Sequence, residues 1–196
     1  PDIAVVGAFD HRLPSTPPGW YHSVMIVGPA DHATGLADLA GASVAVNGAD
    51  SQSGHAAWRH EVARTTLPPG HLGPVHLTGS HRESIVAVAT GIARTAAIDA
   101  VSWEFACTHE AAASTCRIVH RSESTPGLPL VTGRAATVDT VRAAIGAAVE
   151  GLSAAERGTL HVHGFVPFDR ADYDEIGRRW TAATEAGIPD LTTGSA

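Results

Sequence analysis

Apolar positions recur along the chain with two different spacings. Short apolar runs bounded by turn residues predict strands at 3–7, 21–27, 43–46, 75–78, 95–98, 116–120 and 130–132. Apolar residues three or four positions apart predict helices at 56–64, 82–90, 101–111, 137–152 and 172–183. Between 43 and 120 the two kinds of element alternate. This order predicts an α/β fold with mostly parallel sheets, right-handed crossovers and helices on both faces.

Polar and turn-rich segments separate these elements. Proline and glycine predict connections at 11–19, 66–74 and 125–129, and a short helical turn is expected at 36–41. His161 and His163 are predicted on one side of a strand, followed by an extended segment at 165–168. The tail from Gly187 is polar, and we expect it to be frayed.

Composition excludes several classes of function. The 196 residues are 44% hydrophobic and 17% charged, which indicates a globular chain of one domain or two small ones. A net charge of −7 without a basic stripe argues against nucleic-acid binding. No apolar run approaches the ~20 residues of a membrane span.

Neither the cysteines nor the histidines predict a metal centre. Cys107 and Cys116 could form one disulfide or remain two thiols. The twelve histidines are not accompanied by a carboxylate or cysteine cluster of the kind that binds zinc. We therefore predict no metal and no cofactor.

The loop at 47–55, with the sequence NGADSQSGH, follows one predicted strand and opens a helix. A helix start leaves several backbone N–H groups unpaired at the positive end of the helix dipole. Together with the hydroxyls of Ser51 and Ser53, these groups predict a site for a phosphate-like anion. The alternative is that one of these serines only caps the helix.

Two further loops follow strands of the same predicted sheet, at 79–82 and 99–103. Because ligands of such sheets bind beyond the carboxyl ends of the strands, we expect the three loops to converge. Their polar residues are Ser51, Ser53, His55, Ser80, His81, Asp99 and Ser102, with Trp103 beside them. This convergence favours binding over simple capping.

Four runs carry a family resemblance over roughly residues 1 to 170: YHSVMIV, LADLAGASVAVNGADSQSG, TGSHRESIVAVATGIARTAAIDAVSWE and STPGLPLVTG. They resemble the substrate-binding proteins of phosphate and phosphonate ABC importers. The resemblance implies the two-lobed type 2 periplasmic-binding-protein fold. Residues 1–28 and 126–196 would form the first lobe and 29–125 the second, and the lobes would close about 23–27 and 128–132.

The resemblance also implies roles for single residues. Ser51, Ser53 and Gly54 match the serine motif at the ligand's oxygens, whereas Gly79, Ser80 and His81 match an element of the cleft wall. Asp99 matches an acidic strand end that is followed by Trp103, and Tyr21 lies near the first crossover. We include His55 of the serine loop among the expected ligand residues.

Each of these residues also has a structural interpretation. Asp99 could hold the ammonium of an aminoalkyl phosphonate or cap the next helix. His81 could donate to an anionic oxygen or pack at a helix start. Trp103 and Tyr21 could flank the ligand or belong to the core.

The sequence departs from the family at its N-terminus. Such proteins usually have about half a lobe more upstream, so we expect an incomplete first lobe. Exposed sheet edges there could be covered by a second copy of the chain, which would form a homodimer. The resemblance implies a periplasmic or extracytoplasmic protein that works with a membrane permease and its ATPase.

The function predicted on these grounds is capture of phosphate, phosphite or an organophosphonate without catalysis. An enzyme is the first alternative, because Ser51 or Ser53, His81 and Asp99 are the ingredients of a hydrolase triad. The Gly-x-Ser-x-Gly elbow is absent, and a hydrolase would need His81 within hydrogen-bond reach of a serine. The second alternative is a ligand-sensing domain for another small anionic or heterocyclic ligand.

Overall fold

A computed structural model describes residues 3–65, 72–134 and 137–191 of the chain. The strands are β1 (Ala4–Asp10), β2 (Trp20–Tyr21), β3 (Ser23–Val27), β4 (Ala42–Val46), β5 (Leu72–Leu77), β6 (Thr95–Asp99), β7 (Arg117–Arg121), β8 (Thr125–Pro126), β9 (Leu130–Thr132) and β10 (Gly164–Val166). The helices are α1 (Ala57–Arg64), α2 (His81–Ala89), α3 (Ala100–His109), α4 (Val138–Glu150), α5 (Ala154–Leu160) and α6 (Asp174–Glu185). Most of the elements predicted from hydrophobic spacing are therefore present.

The chain forms two compact units. The first unit contains Pro1–Tyr21 and Ser124–Glu175, and the second contains His22–Glu123 and Ile176–Ala196. In the first unit, β1 lies between β10 and β9 and is antiparallel to both. Arg142 of α4 joins this unit together, since its guanidinium donates to the carbonyl of Val6 at 2.8 Å and to that of Phe168 at 2.7 Å.

The second unit is built on a five-stranded sheet in the order β5-β4-β6-β3-β7. β4 is parallel to β5 and β6, while β3 is antiparallel to β6 and β7. Four strands therefore run in one direction and β3 runs against them, which confirms a mostly parallel sheet. The carboxyl ends of these four strands and the start of β3 share one edge of the sheet.

The core of the second unit lies on this sheet and includes the predicted apolar face of α1. Trp58 and Val62 are both buried there, as are Met25 and Val27 of β3. Ala183, Ile188 and Leu191 of the C-terminal segment belong to the same core. The prediction of a frayed tail is wrong for 187–191, because its two apolar side chains are buried; residues 192–196 lie outside the described part.

Arg59 fastens this C-terminal segment to α1. Its side chain is only 2% exposed, and its guanidinium donates to the carbonyls of Pro189 at 3.0 Å and Ile188 at 2.8 Å. The same group donates to Thr184 Oγ1 at 3.0 Å and lies 4.1 Å from the centroid of the Trp180 ring. The segment after 175 therefore packs within the second unit, whereas the predicted first lobe included it.

The predicted segments differ from the structure in other places. The strand expected at 21–27 is divided at His22 into β2 and β3. Helix α5 was not predicted, although its capping box of Ser153 and Glu156 is visible in the sequence. The prediction that His161 and His163 share a strand is wrong, because His161 ends α5 with a left-handed φ of 51°. Of the connector predicted at 66–74, residues 66–71 lie outside the described residues, and 72–74 belong to β5 instead.

None of the described helices is long and apolar enough to cross a membrane. Both cysteines are free thiols in the structure. Burial raises the pKa of the Cys107 thiol and that of the Cys116 thiol.

Replacing Arg59 by alanine is expected to lower the free energy of unfolding by about 2–4 kcal/mol, because three acceptors of the C-terminal segment, one of them in a buried bond, lose a charged donor. Urea denaturation of the whole chain measures this change. The matched control is Arg170→Ala, since Arg170 is exposed. A native value for Arg59→Ala would mean that apolar packing alone holds the C-terminal segment.

Candidate functional site

Three residues at the shared edge of the sheet cap the elements that follow them. Ser51 Oγ accepts from Gly54 N–H at 2.9 Å, Ser80 Oγ from Glu83 N–H at 3.1 Å, and Asp99 Oδ1 from Ser102 N–H at 2.8 Å. Each bond spans three residues, as expected for an N-cap. The capping interpretation is therefore confirmed for Ser51, and Ser80 and Asp99 act in the same way.

Ser53 does not cap the helix and instead joins two of the predicted loops. The turn Gln52–Ala56 is a π-helical turn that continues into α1. Within it, Ser53 is nearly buried, and its Oγ lies 2.8 Å from Nε2 of His81, the first residue of α2. The Ser53 carbonyl accepts from Ser23 Oγ at 2.8 Å, which ties the turn to the start of β3. Loops 47–55 and 79–82 thus converge as predicted.

His81 has one ring nitrogen at this edge that the described part of the chain leaves unsatisfied. Burial lowers the pKa of His81, and the nearby carboxylate of Asp99 only partly opposes this effect. The ring is therefore neutral at pH 7. Its Nδ1 is buried and has no hydrogen-bond partner among the described residues. Nε2 is the nitrogen that meets Ser53.

Gly54 gives Asn47 room beside the serine loop. A Cβ at Gly54 would overlap with Asn47 Oδ1 and would lie 3.1 Å from Ser51 Oγ. Asn47 Oδ1 is itself buried and unpaired within the part of the chain that the structure describes. The glycine thus allows the end of β4 to approach the turn closely.

His55 is placed differently from the ligand role that we expected. It is fully buried, and its Nδ1 lies 2.7 Å from the carbonyl of Ala49. Nε2 lies 3.1 Å from Leu191 N and 3.3 Å from Asp190 Oδ1, both in the C-terminal segment. Trp180 packs edge-on against the ring. With both nitrogens occupied, His55 holds the loop against the C-terminal segment.

The remaining predicted ligand residues lie in three settings. Asp99 is buried at the start of α3, and Trp103 is half-buried one turn later in that helix. Tyr21 is buried in β2 of the first unit. His22, between β2 and β3, is a neighbouring titratable group. Burial lowers the pKa of His22, Arg121 lowers it further, and the carboxylate of Asp99 raises it.

Sequence reasoning missed Ser23 and Asn47. Ser23 starts the antiparallel strand β3, so it lies at the edge where the parallel strands end. Asn47 follows β4 directly, and that position was its only signal. Neither can be assigned from spacing, because each depends on the pairing of distant strands.

The geometry meets one requirement of a hydrolase and lacks another. Ser53 Oγ is within hydrogen-bond reach of His81 Nε2. However, the second nitrogen of His81 has no partner within 3–65, 72–134 and 137–191, and Asp99 Oδ1 serves as a cap. A triad needs a third group that orients the histidine. The arrangement therefore offers hydrogen-bond donors better than an activated nucleophile.

Comparison with known proteins identifies similar sequences and folds. Residues 15–175 match the family described as ABC transporter, phosphonate, periplasmic substrate-binding protein. A comparison with curated proteins found no match.

Three solved structures of similar fold come from bacteria. PhnD1 from Prochlorococcus marinus, in complex with methylphosphonate, is 15% identical with a TM-score of 0.73, covering 93% of this chain and 72% of its own. A binding protein component of an ABC phosphonate transporter from Pseudomonas aeruginosa is 18% identical with a TM-score of 0.73, covering 99% and 67%. The periplasmic aliphatic sulphonate binding protein SsuA from Escherichia coli is 18% identical with a TM-score of 0.55, covering 96% and 56%. These likenesses show the type 2 periplasmic-binding-protein fold.

Replacing Gly54 by alanine is expected to lower the free energy of unfolding by about 1–3 kcal/mol, because Asn47 must move from the added methyl group. Adding Asn47→Ala should recover part of that loss, and urea denaturation measures both. Gly146→Ala in α4 is the control, since a Cβ there meets nothing within 4 Å. Equal stability of Gly54→Ala and the native protein would contradict the close approach.

The lowered pKa of His81 predicts a pH-dependent stability. The unfolded chain binds a proton at His81 near the ordinary pKa of 6.5, whereas the folded chain does so only at lower pH. Stability that is present above pH 6.5 is therefore lost as the pH falls through that value toward the folded pKa. Denaturation between about pH 7.5 and about pH 5 should show a steeper loss for the native protein than for His81→Gln. His22 is present in both proteins and contributes equally to both curves. The same pH dependence of the free energy of unfolding in the native protein and in His81→Gln would therefore contradict a neutral His81 in the folded chain.

Proposed function

Because this chain belongs to the family of periplasmic substrate-binding proteins of phosphonate ABC transporters, we propose that it captures a phosphorus oxyanion for import. The ligand class is phosphate, phosphite or an organophosphonate. The observation that carries the proposal is the hydrogen bond between Ser53 and His81. This bond joins the hydroxyl in the turn before α1 to the imidazole at the start of α2. The methylphosphonate bound to PhnD1 supports the same class of ligand.

Neutral donors would hold the anion at this edge. The Ser51 hydroxyl accepts from Gly54 N–H and keeps its own proton to donate. The Ser53 hydroxyl, held by His81, supplies a second donor. The positive ends of the helix dipoles favour an anion here without a basic side chain. This suits a chain whose net charge is −7.

His81 would orient the Ser53 hydroxyl rather than activate it. A neutral ring with its proton on Nε2 donates to Ser53 Oγ, so the hydroxyl proton is directed to the ligand. Withdrawal of that proton would need a base whose Nδ1 is itself held by a third group. Since Nδ1 has no partner among the described residues, binding without chemistry is the function favoured by this geometry.

The rest of the proposal follows from the family. The protein would work outside the cytoplasm, with a membrane permease and its ATPase. The lobe bounds that the resemblance implies, 1–28 with 126–196 and 29–125, differ from the two compact units, because 22–28 and 176–196 belong to the second unit. Closure of two lobes about 23–27 and 128–132 stays a prediction. A homodimer stays a prediction.

The central test removes both hydroxyls of the serine loop. The double variant Ser51→Ala, Ser53→Ala is expected to weaken binding of phosphate, phosphite or methylphosphonate at least about tenfold, since each hydrogen bond to a charged group contributes roughly 1.5–3 kcal/mol. Isothermal titration calorimetry measures the affinities, with sulfate as the competing oxyanion. Ser114→Ala is the control, because Ser114 is exposed and bonds only to Ala111 of its own turn. An unchanged affinity in the double variant would remove the proposed site.

A further inference from the structure

A groove runs between α2 and α3 of the second unit. It has a volume of about 420 Å³. Its lining comes from α2, from α3 and from Glu110, which directly follows α3. The lining residues are His81, Arg82, Ile85, Ser102, Phe105, Ala106, His109 and Glu110. A cavity of this size is within the range of small-molecule sites. None of the roles described above accounts for it.

His81 connects this groove with the anion site. Its Nε2 meets Ser53 Oγ at 2.8 Å, and the same side chain lines the groove. Ser102, which also lines the groove, gives its N–H to the carboxylate of Asp99. One imidazole ring is thus shared by the serine loop and the groove. A ligand whose phosphorus group lies at Ser53 would therefore reach the groove past this one side chain.

The chemistry of the groove favours an uncharged occupant. Ile85, Phe105 and Ala106 give it apolar surface. The two charged groups of its lining neutralise each other, since Arg82 and Glu110 form an ion pair at 2.7 Å. Arg82 also contacts Glu83 at 2.9 Å, so its charge has a second partner. Apolar surface of this kind gains stability when it is removed from water.

We propose that the groove between α2 and α3 is a specificity subsite that takes the uncharged alkyl or aryl substituent of an organophosphonate. This inference rests on the proposed function, because the phosphorus group must be held at the serine loop. It adds that the preferred phosphonate carries an uncharged substituent larger than a methyl group.

The test compares ligands that share a phosphorus group and differ in the substituent. Calorimetry on the native chain uses phosphate, methylphosphonate, n-butylphosphonate, phenylphosphonate and 2-aminoethylphosphonate. We expect phenylphosphonate or n-butylphosphonate to bind at least about tenfold more tightly than methylphosphonate, because the groove removes the added carbon atoms from water.

Two variants of the groove separate this subsite from the anion site. Ala106→Leu fills the groove and should reduce the advantage of the larger ligands to below about threefold, with methylphosphonate unchanged within about twofold. Thr108→Leu adds the same side chain to an exposed position of α3 outside the groove lining and should change nothing. If Ala106→Leu does not fold, Phe105→Ala removes apolar surface of the groove and should have the same selective effect.

Each contrary result has a distinct meaning. Equal affinities for methylphosphonate and the larger ligands, or an advantage that survives both groove variants, would overturn the subsite but leave the anion site intact. Tightest binding of 2-aminoethylphosphonate, with the preference lost in Asp99→Asn, would place a charged substituent at Asp99 and also overturn it. Absence of phosphate and phosphonate binding to the native chain would overturn the proposed function and the subsite together.

Discussion

Four strands of the second unit end at one edge of its sheet, and this constraint determines where polar chemistry can occur. The chain must turn into a helix after β4, after β5 and after β6. Each helix start presents unpaired N–H groups, so each needs an acceptor. Ser51, Ser80 and Asp99 supply these acceptors. The residues that complete the fold are therefore the same residues that would lie next to an anion in the proposed site.

Capping and binding are consequently two uses of one arrangement. A serine that caps accepts a hydrogen bond through its oxygen and retains a proton that can be donated outward. A carboxylate that caps has no proton to donate. This difference distinguishes Ser51 and Ser80 from Asp99, although all three occupy the same position relative to their helices. Ser53 stands apart because its hydroxyl is held by a side chain from the next loop, His81.

Local sequence predicted most strands, most helices and the convergence of two loops, because these depend on periodicity and strand direction. It missed β8 at 125–126, which was expected to be a connection. It did not predict the role of His55, whose ring meets Leu191, 136 positions away along the chain. Nor did it predict that Ile188 and Leu191 would be buried, since two apolar residues are too few to form a periodic pattern. Arg59 was unremarkable in the sequence for the same reason: its partners are backbone carbonyls of a distant segment. Long-range contacts to backbone atoms leave no local signature.

The proposed anion-binding edge alone does not define a ligand. Backbone N–H groups, helix dipoles and small hydroxyls recognise the charge and shape of an oxyanion, and any sheet of this topology can supply them. Discrimination between oxyanions with different substituents requires side chains beyond the first turn of each helix. In this chain such side chains lie between α2 and α3, where Ile85 and Phe105 provide apolar surface and the Arg82–Glu110 pair leaves no unbalanced charge. Specificity would then be encoded in helix surfaces that the caps themselves do not constrain.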